Sequence, residues 1–326
     1  MTGYLLRRVA ALIPILLWIT LISFGIMHLA PGKPTDAATQ FNPKVSLEAR
    51  QRMEKLYGLD QPLPAQYANW LSRMARFDFG RSFLDDRSVT EKIVERLPIT
   101  LTINVWSLVL ILGLAVPLGV VAAVRPGGTF DRLTTVWVFI GYSMPSFWLA
   151  LFCMALFGVT LHWLPISGIH SLDADSFGLL HRWADTAWHL LLPIGISAFV
   201  SLAGVSRYMR SSMVEVLRQD YIRTARAKGL SERRILFHHG LRNGLLPIIT
   251  ILGLSLPDLI GGSVIAETIF SIPGMGRLFY DAVMARDYPV IMALVTIGAV
   301  LTMLGNLLAD LGYAYADPRI RVGGKG

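Results

Sequence analysis

The sequence predicts an all-α integral membrane protein with six transmembrane helices, and two observations carry this prediction. First, the chain of 326 residues is 53% hydrophobic and only 16% charged, with a mean hydropathy of +0.52, whereas soluble domains average about 25% charged residues. Second, six apolar segments reach the length of about 20 residues that a helix needs to cross a bilayer. These segments are 9–30, 99–124, 134–161, 186–206, 245–266 and 290–312.

The first apolar segment is predicted to be a retained span and not a cleaved signal peptide. It follows Arg7 and Arg8, as a signal peptide would. Its apolar run, residues 9–30, is longer than the core of about 7–15 residues found in signal peptides. The stretch that ends at Ala30 also lacks an A-x-A cleavage pattern. We therefore expect residues 1–30 to form the first span and its short N-terminal flank.

Basic residues predict which side of the membrane each loop faces, because loops rich in Lys and Arg stay in the cytoplasm. The loops 125–132 and 207–243 and the tail 313–326 carry a basic excess. A cytoplasmic N-terminus places all three on the cytoplasmic side. Six spans then bring both termini to that side.

The long loop 31–98 is predicted to form a small helical cap on the outer side, between the first two spans. It holds eleven Lys or Arg residues and nine acids, but charge in a loop of this length has little effect on orientation. Leu47–Tyr57 has helical spacing and is followed by Gly58, and Gln66–Arg76 reads as a second short helix. The core of five further spans then occupies residues 99–312.

The segment 207–243, called the basic loop below, holds nine Lys or Arg residues against three acids. Gly229 is typical of the left-handed position that ends a helix, and Ser231 of the cap that begins the next one. The pattern predicts a helix-turn-helix, which on a cytoplasmic loop indicates docking of a partner protein. The alternative is a basic amphipathic element on anionic lipid, which would not need the Gly–Leu–Ser break.

Several function classes lack their motifs in this chain. There is no G-x-x-x-x-G-K-[ST] sequence for binding ATP and no H-E-x-x-H sequence for zinc, and neither catalytic residues nor a metal site are expected. His238 and His239 are adjacent, but neighbours on a helix point about 100° apart, so the two side chains are not expected to hold one metal ion. The single cysteine, Cys153, lies in an apolar segment and is read as a small hydrophobic residue. The net charge of +8 lies at helix flanks, so no nucleic acid partner is expected.

The number of charged residues within the spans indicates whether transport by this chain could be driven by an ion gradient. The first four spans contain no Asp, Glu, Lys or Arg between their ends, whereas ion-coupled carriers usually need ionisable groups within the membrane. A separate motor docking on the basic loop is therefore the leading hypothesis. An ion-coupled carrier that uses Asp258 in the fifth span is the alternative.

Three residues within the spans are candidates for lining a pathway. A carboxylate at mid-span costs several kcal/mol unless it faces water or a partner, so Asp258 either lines a pathway or bonds to a neighbouring helix. The preceding Pro257 frees a backbone carbonyl there. Ser143 and Pro145, in the sequence GYSMP, interrupt the third span and either line the same pathway or mark a structural kink.

The outer loop 267–289 is predicted to re-enter the mouth of the pathway as a plug. Pro273, Gly274 and Gly276 favour a compact, non-helical turn there. Charged residues of this loop are candidates for a latch: Glu267, Arg277 and Asp287. The alternative is an ordinary solvated loop.

Four stretches, in this order along nearly the whole chain, resemble a known family. They are YLLRRVAALIP with LAPG (Tyr4–Gly32), YGLDQPLP with DFGRS (Tyr57–Ser82), DYIRTARAKGL with HGLRNGLLP (Asp220–Pro247), and ETIFSIPGMGR with RDYP and DPRIR (Glu267–Arg321). The family is the B-type permease subunit of bacterial dipeptide and oligopeptide ABC importers, whose relatives also carry nickel or glutathione. In the wider family the docking segment reads E-A-A-x3-G-x9-I-x-L-P. Here Gly229 matches the Gly, Arg223 replaces the Glu and Arg242 replaces the Pro.

The resemblance implies a type I ABC importer permease in the bacterial inner membrane. It implies a second homologous permease, two ATPase subunits that bind ATP and Mg, a solute-binding protein outside, and a peptide substrate, with no cofactor in this chain. Di- and oligopeptides, glutathione and nickel chelates all stay open as substrates. It also assigns contact with an ATPase to residues of the basic loop: Tyr221, Arg223, Thr224, Ala225, Arg226, Gly229 and Leu230.

Overall fold

The computed structural model describes residues 2–29, 55 and 58–316, with side chains for 10–29, 55 and 58–308. In this part of the chain the architecture is helical throughout. The first six helices are α1 (Thr2–Leu29), α2 (Leu63–Met74), α3 (Val89–Val124), α4 (Thr129–Ser143), α5 (Ser146–Thr160) and α6 (Leu179–Leu217). The remaining six are α7 (Asp220–Ala227), α8 (Glu232–Leu254), α9 (Leu256–Gly261), α10 (Val264–Ile269), α11 (Met275–Ala285) and α12 (Tyr288–Ala316).

Among the described residues, five helices are long and apolar enough to cross a membrane. They are α1, α3, α6, α8 and α12, and the pair α4–α5 makes a sixth span if it is counted as one. The all-α membrane fold expected from the sequence is therefore confirmed. Spans two and four are longer than predicted, since α3 has 36 residues and α6 has 39, and both extend beyond the hydrocarbon core.

The third predicted span, 134–161, contains two helices, because α4 and α5 meet at an angle of 97°. The predicted interruption at GYSMP is confirmed. Met144 has an extended backbone, with φ −87° and ψ 127°. Proline disfavours the helical conformation in the residue before it, so Pro145 explains why α4 ends at Ser143.

Contacts with α6 place the two ends of the α4–α5 segment far apart. At the start of α4, Asp131 contacts Arg210 near the C-terminal end of α6. After α5, the amide of Ser171 donates to Asp185 near the N-terminal end of α6, over 2.8 Å. This placement agrees with counting α4 and α5 together as the sixth candidate span of the described residues.

The fifth predicted span, 245–266, is divided among three helices, so its predicted bounds are wrong. Helix α8 starts earlier, at Glu232, and ends at Leu254. Pro257 lacks the N–H that a continuing helix needs, and Ser255 Oγ donates to the Ile251 carbonyl over 2.7 Å. A second break follows at Gly262, whose φ is +70°. Much of the basic loop therefore belongs to the ends of α6 and α8, and only its residues 218–231, which include α7, lie between these two helices.

The outer cap contains the second of its two predicted helices. The helix expected at Gln66–Arg76 is α2, and Gly58 before it has the left-handed φ of +67°. The helix expected at Leu47–Tyr57 lies outside the described residues except for residue 55. Helix α2 is held to α1 by a hydrogen bond of 2.9 Å between Thr20 Oγ1 and the Tyr67 hydroxyl.

Candidate functional site

Helix α7 places most of the predicted docking residues on one exposed face. Ile222 and Ala225 are buried against Ile235 of α8, and Leu230 packs against the same cluster. The exposed residues, called the docking face below, are Tyr221, Arg223, Thr224, Arg226 and Gly229. The prediction that Ala225 contacts a partner is not supported, because its side chain is only 6% exposed and packs within this chain.

The turn after α7 has the predicted left-handed glycine. Gly229 has φ +72°, and a Cβ built there would meet no atom of the described residues within 4 Å, its two chain neighbours aside. Ser231 precedes α8 as predicted, but its side chain makes no capping hydrogen bond. Arg226 Nε donates to Glu232 Oε1 over 2.8 Å, so an ion pair also connects α7 to α8. The space above Gly229 is open to a partner.

The helices that carry the docking face are packed tightly on the end of α6. Met213 is fully buried, and Gly240 and Gly244 of α8 lie so close to it that a Cβ at Gly244 would overlap the Met213 sulfur. Ser212 Oγ donates to the Gly244 carbonyl over 3.0 Å. The docking face is thus connected to α6 through α8 by close packing of the kind that transmits displacement.

Asp258 lies on α9 with its side chain exposed. The contact with a neighbouring helix is made by its backbone, because Asn104 Nδ2 of α3 donates to the carbonyls of Asp258 and Leu259 over 2.8 and 3.0 Å. These bonds satisfy carbonyls at the helix break and leave the carboxylate facing outward. Asn104 was missed in the sequence, although an amide within an apolar span was a usable signal.

Ser143 and Pro145 are exposed at the bend between α4 and α5. Among the described residues, no hydrogen bond or ion pair joins either of them to Asp258. The structure therefore shows the kink that these residues mark, and their place along a pathway stays a prediction.

Glu267 is a buried carboxylate that organises the outer loop. It is 3% exposed, and its two oxygens accept from Thr100 Oγ1 over 3.1 Å and from the Arg277 backbone N–H over 2.8 Å. Thr100 Oγ1 in turn accepts from the Met275 amide over 2.8 Å. Burial raises the pKa of the Glu267 carboxyl above its ordinary value, and these hydrogen bonds act against the rise. Glu267 thus connects α10, the start of α11 and α3.

Glycines make room for this carboxylate. A Cβ at Gly262 or Gly274 would overlap the Glu267 carboxyl group, and a Cβ at Gly276 would come within 2.6 Å of the Val264 nitrogen. These close approaches explain why the predicted turn is rich in glycine. Helix α11 then packs on α3 and α12 through a buried apolar cluster that includes Met275, Leu278 and Ala282.

Two of the candidate latch charges of the outer loop, Arg277 and Asp287, do not pair with each other, and their role as a latch stays a prediction. The Arg277 side chain faces Asp281 one turn along α11, at 3.9 Å. Asp287 is 1% exposed and accepts from the Phe83 amide over 2.9 Å and from the Ser82 hydroxyl. Asp287 therefore attaches the α11–α12 junction to the turn at residues 81–88 that precedes α3.

Removal of the Asp287 carboxylate should release that turn. In Asp287→Ala the Phe83 amide and the Ser82 hydroxyl lose their acceptor, at a cost of about 1–3 kcal/mol for each buried group left unsatisfied. We expect faster hydrogen exchange across residues 81–88, measured by mass spectrometry on the purified protein. Asp86→Ala is the control, because its ion pair with Arg81 is about two-thirds exposed and such pairs contribute about 0–1 kcal/mol. Equal exchange in the two variants would contradict the anchoring role.

In the part of the chain that the structure describes, no group of three or more His, Cys, Asp or Glu side chains is placed to hold a metal ion. The rings of His238 and His239 lie edge to face, with centroids 5.1 Å apart. The arrangement around the docking face is thus one of exposed cations and aromatic rings.

Known proteins match the chain over its full length. Residues 115–322 match the family described as "Binding-protein-dependent transport system inner membrane component", and residues 1–104 match its N-terminal companion. The oligopeptide transport system permease protein AppB of Bacillus subtilis is 47% identical over 98% of this chain and 99% of its own length. The dipeptide transport system permease protein DppB of Alkalihalophilus pseudofirmus is 36% identical over 98% of this chain and 100% of its own.

Five or six candidate membrane spans, an exposed docking face carried by α7 on the start of α8, and similarity to permeases over 98% of the chain agree with one another. The chain therefore belongs to the binding-protein-dependent transport system inner membrane components, the permease subunits of ABC importers.

Proposed function

We propose that this permease forms half of a translocation pathway for peptides. The support is its full-length similarity to relatives named as oligopeptide, dipeptide and di/tripeptide permeases. The other half of the pathway is a second homologous permease. A solute-binding protein delivers the peptide on the outer side, and two ATPase subunits that bind ATP and Mg drive the cycle.

The observation that carries the coupling proposal is the docking face. Its exposed aromatic and basic residues lie on α7, which packs on the start of α8, and α8 in turn packs on α6. The open space at Gly229 admits another surface closely. Arg223 and Arg226 suit a cleft lined with acids, because interfaces pair complementary charges. An ATPase docked there places both the docking face and the two termini in the cytoplasm.

Asp258 is proposed to line the pathway. Its side chain is exposed on a helix between two breaks, and Asn104 of α3 holds the backbone of that helix by hydrogen bonds. A carboxylate in that position attracts the ammonium end of a peptide. Ser143 and Pro145 at the bend of the third span are proposed to face the same pathway.

The proposed function is tested by uptake in proteoliposomes. This chain is purified with its neighbouring permease and the two ATPases and supplied with a peptide-loaded binding protein. We expect peptide uptake to require ATP on the side of the vesicle membrane where the ATPases are bound. The uptake should persist when an uncoupler is added. Uptake by this chain alone, abolished by the uncoupler and indifferent to ATP, would instead establish an ion-coupled carrier.

Asp258→Asn should lower peptide uptake while the complex still assembles, because the amide keeps the shape of the side chain and removes its charge. We expect a fall of about tenfold, as loss of roughly 1.4 kcal/mol of attraction would give. Uptake is measured with a labelled peptide, and assembly by co-purification. Asp173→Asn on the exposed loop before α6 is the matched control. Wild-type uptake in Asp258→Asn would remove this residue from the pathway.

A further inference from the structure

Helix α4 leaves most of its apolar surface uncovered by the rest of the described chain. Of its 15 residues, all of them described, only Asp131 and Gly141 are buried. More than half of the surface of several apolar side chains of α4 is exposed: Leu133, Val136, Trp137, Phe139 and Tyr142. Helix α4 packs on α6 and on α3, and its two buried residues lie at its start and near its end.

The contact at the start of α4 is an ion pair with both carboxylate oxygens in use. Asp131 is 4% exposed. Its Oδ1 accepts a hydrogen bond from Arg210 Nε. Its Oδ2 accepts two more, from Arg210 Nη2 and from the Gly127 amide, and both of these are 2.7 Å long. A two-pronged arginine–carboxylate pair fixes orientation as well as distance. If α6 moves and carries the Arg210 side chain with it, the first turn of α4 therefore has to move as well.

Arg210 belongs to the part of α6 that supports the docking face. Its neighbour Met209 and the next turn's Met213 are fully buried. They pack with Ile248 of α8 and with the end of α3, where a Cβ at Gly119 would lie 2.6 Å from Met209 Cβ. Helix α7, the start of α8 and the end of α6 thus form one packed unit, and Arg210 projects from it to α4.

The second contact of α4 adjoins the bend. A Cβ at Gly141 would lie 3.0 Å from the Phe199 ring, and the chain turns by 97° just beyond, between Ser143 and Ser146. Hinges are a few residues at the ends of elements that absorb a change of backbone angles. Helix α4 can therefore pivot at its outer end while its inner end is driven.

On the basis of the proposed function, we propose that the Asp131–Arg210 pair transmits movement of the docked α7–α8 unit to α4. When the ATPases close, α6 carries Arg210 with it, Arg210 pulls the start of α4, and α4 pivots at the bend near Ser143. Asp131 and Arg210 are positioning residues for transport, since neither has to touch the peptide or an ATPase.

The test uses the complete complex in proteoliposomes, with peptide uptake and ATP hydrolysis measured together. The variants are Asp131→Asn, Arg210→Asp, Asp131→Arg, and the double variant Asp131→Arg with Arg210→Asp. Arg132→Asp is the matched control, because Arg132 is the exposed neighbour of Asp131 on the same turn and the substitution changes charge as Arg210→Asp does.

We expect each single variant to lower the number of peptides imported per ATP hydrolysed by about tenfold or more, because each change breaks the ion pair between the buried Asp131 and the half-buried Arg210. The reversed pair should recover most of this ratio, since the interaction energy appears only in the double variant. The Arg132→Asp control should keep the wild-type ratio. If the charge-reversed single variants fail to assemble, Asp131→Asn replaces them in the test. This variant keeps the size of the side chain and an oxygen that accepts from the Gly127 amide.

A second readout separates transmission from stability alone. Spin labels at Leu133→Cys on α4 and Ser211→Cys on α6, with Cys153→Ala to remove the native thiol, report the distance between the two helices. We expect this distance to be the same in the nucleotide-free and ATP-trapped complexes, and to differ between those states in Asp131→Asn.

An assembled Asp131→Asn complex with the wild-type ratio of peptide to ATP and the wild-type distances would overturn the proposal. Failure of the proposed function itself would look different, because the wild-type complex would then show no ATP-dependent uptake.

Discussion

Gly229→Trp is expected to abolish productive docking of the ATPase while the permease itself still folds. The position has φ +72° and no atom of the described residues within 4 Å of a built Cβ, its two chain neighbours aside. The cost within this chain is therefore confined to placing a Cβ in the left-handed region, about 1–2 kcal/mol. The indole would instead occupy the space that a partner needs. Loss of one central interface contact of at least about 2 kcal/mol weakens binding roughly thirtyfold.

The measurement is co-purification with the ATPases followed by ATP hydrolysis and peptide uptake in lipid. Gly229→Ala separates the two contributions, since it adds the backbone strain without the bulk and should keep most of the activity. Gly168→Trp is the matched control, because Gly168 is also left-handed, with φ +81° and its nearest neighbour 3.8 Å from a built Cβ, and it lies on the opposite side of the membrane. Normal docking and uptake in Gly229→Trp would locate the ATPase elsewhere.

Gly262→Ala is expected to cause the largest loss of stability. The residue has φ +70°, and its Cβ would overlap the Glu267 carboxyl oxygen and lie 3.0 Å from both Thr100 Cγ2 and the Gly276 nitrogen. Left-handed strain of about 1–2 kcal/mol adds to an overpacking cost of about 1–3 kcal/mol. Because Glu267 connects α3, α10 and α11, the whole outer loop should loosen, and the melting temperature in detergent should fall by several degrees.

Gly261→Ala provides the neighbouring control for this prediction. Gly261 is the last residue of α9, and a Cβ there meets no atom within 4 Å. Alanine favours a helix over glycine by up to about 1 kcal/mol, so this variant should melt at or above the wild-type temperature. If both variants melt alike, the close packing around Glu267 does not contribute to stability as described.

The sequence was sufficient to predict features that depend on local chemistry. The apolar length of each span, the left-handed turn at Gly229 and the interruption before Pro145 each follow from residues that are close together in the chain. The bounds of α3, α6 and α8 were less predictable, because these helices continue past the apolar stretch into polar sequence. The hydropathy of a segment marks where the membrane is, and a helix ends only where its hydrogen bonds end.

The specific polar contacts were beyond sequence reasoning. Asp287 and Ser82 are 205 positions apart, and Asp131 and Arg210 are 79 apart, so no local period relates them. Arg210 was counted only among the basic residues that set orientation. Asp287 was named only as a candidate latch charge, and its partners in the structure are a hydroxyl and a backbone amide, which carry no opposite charge that could have pointed to them.

The length of α6 has a consequence for how the two sides of the membrane communicate. Its 39 residues extend about 58 Å at 1.5 Å per residue, nearly twice the hydrocarbon thickness of about 30 Å. One end bonds to the turn at Ser171 and the other carries Met213 against α8. In the proposed importer, α6 would connect the surface that receives the binding protein to the surface that docks the ATPases through one continuous helix, without a relay of separate loops.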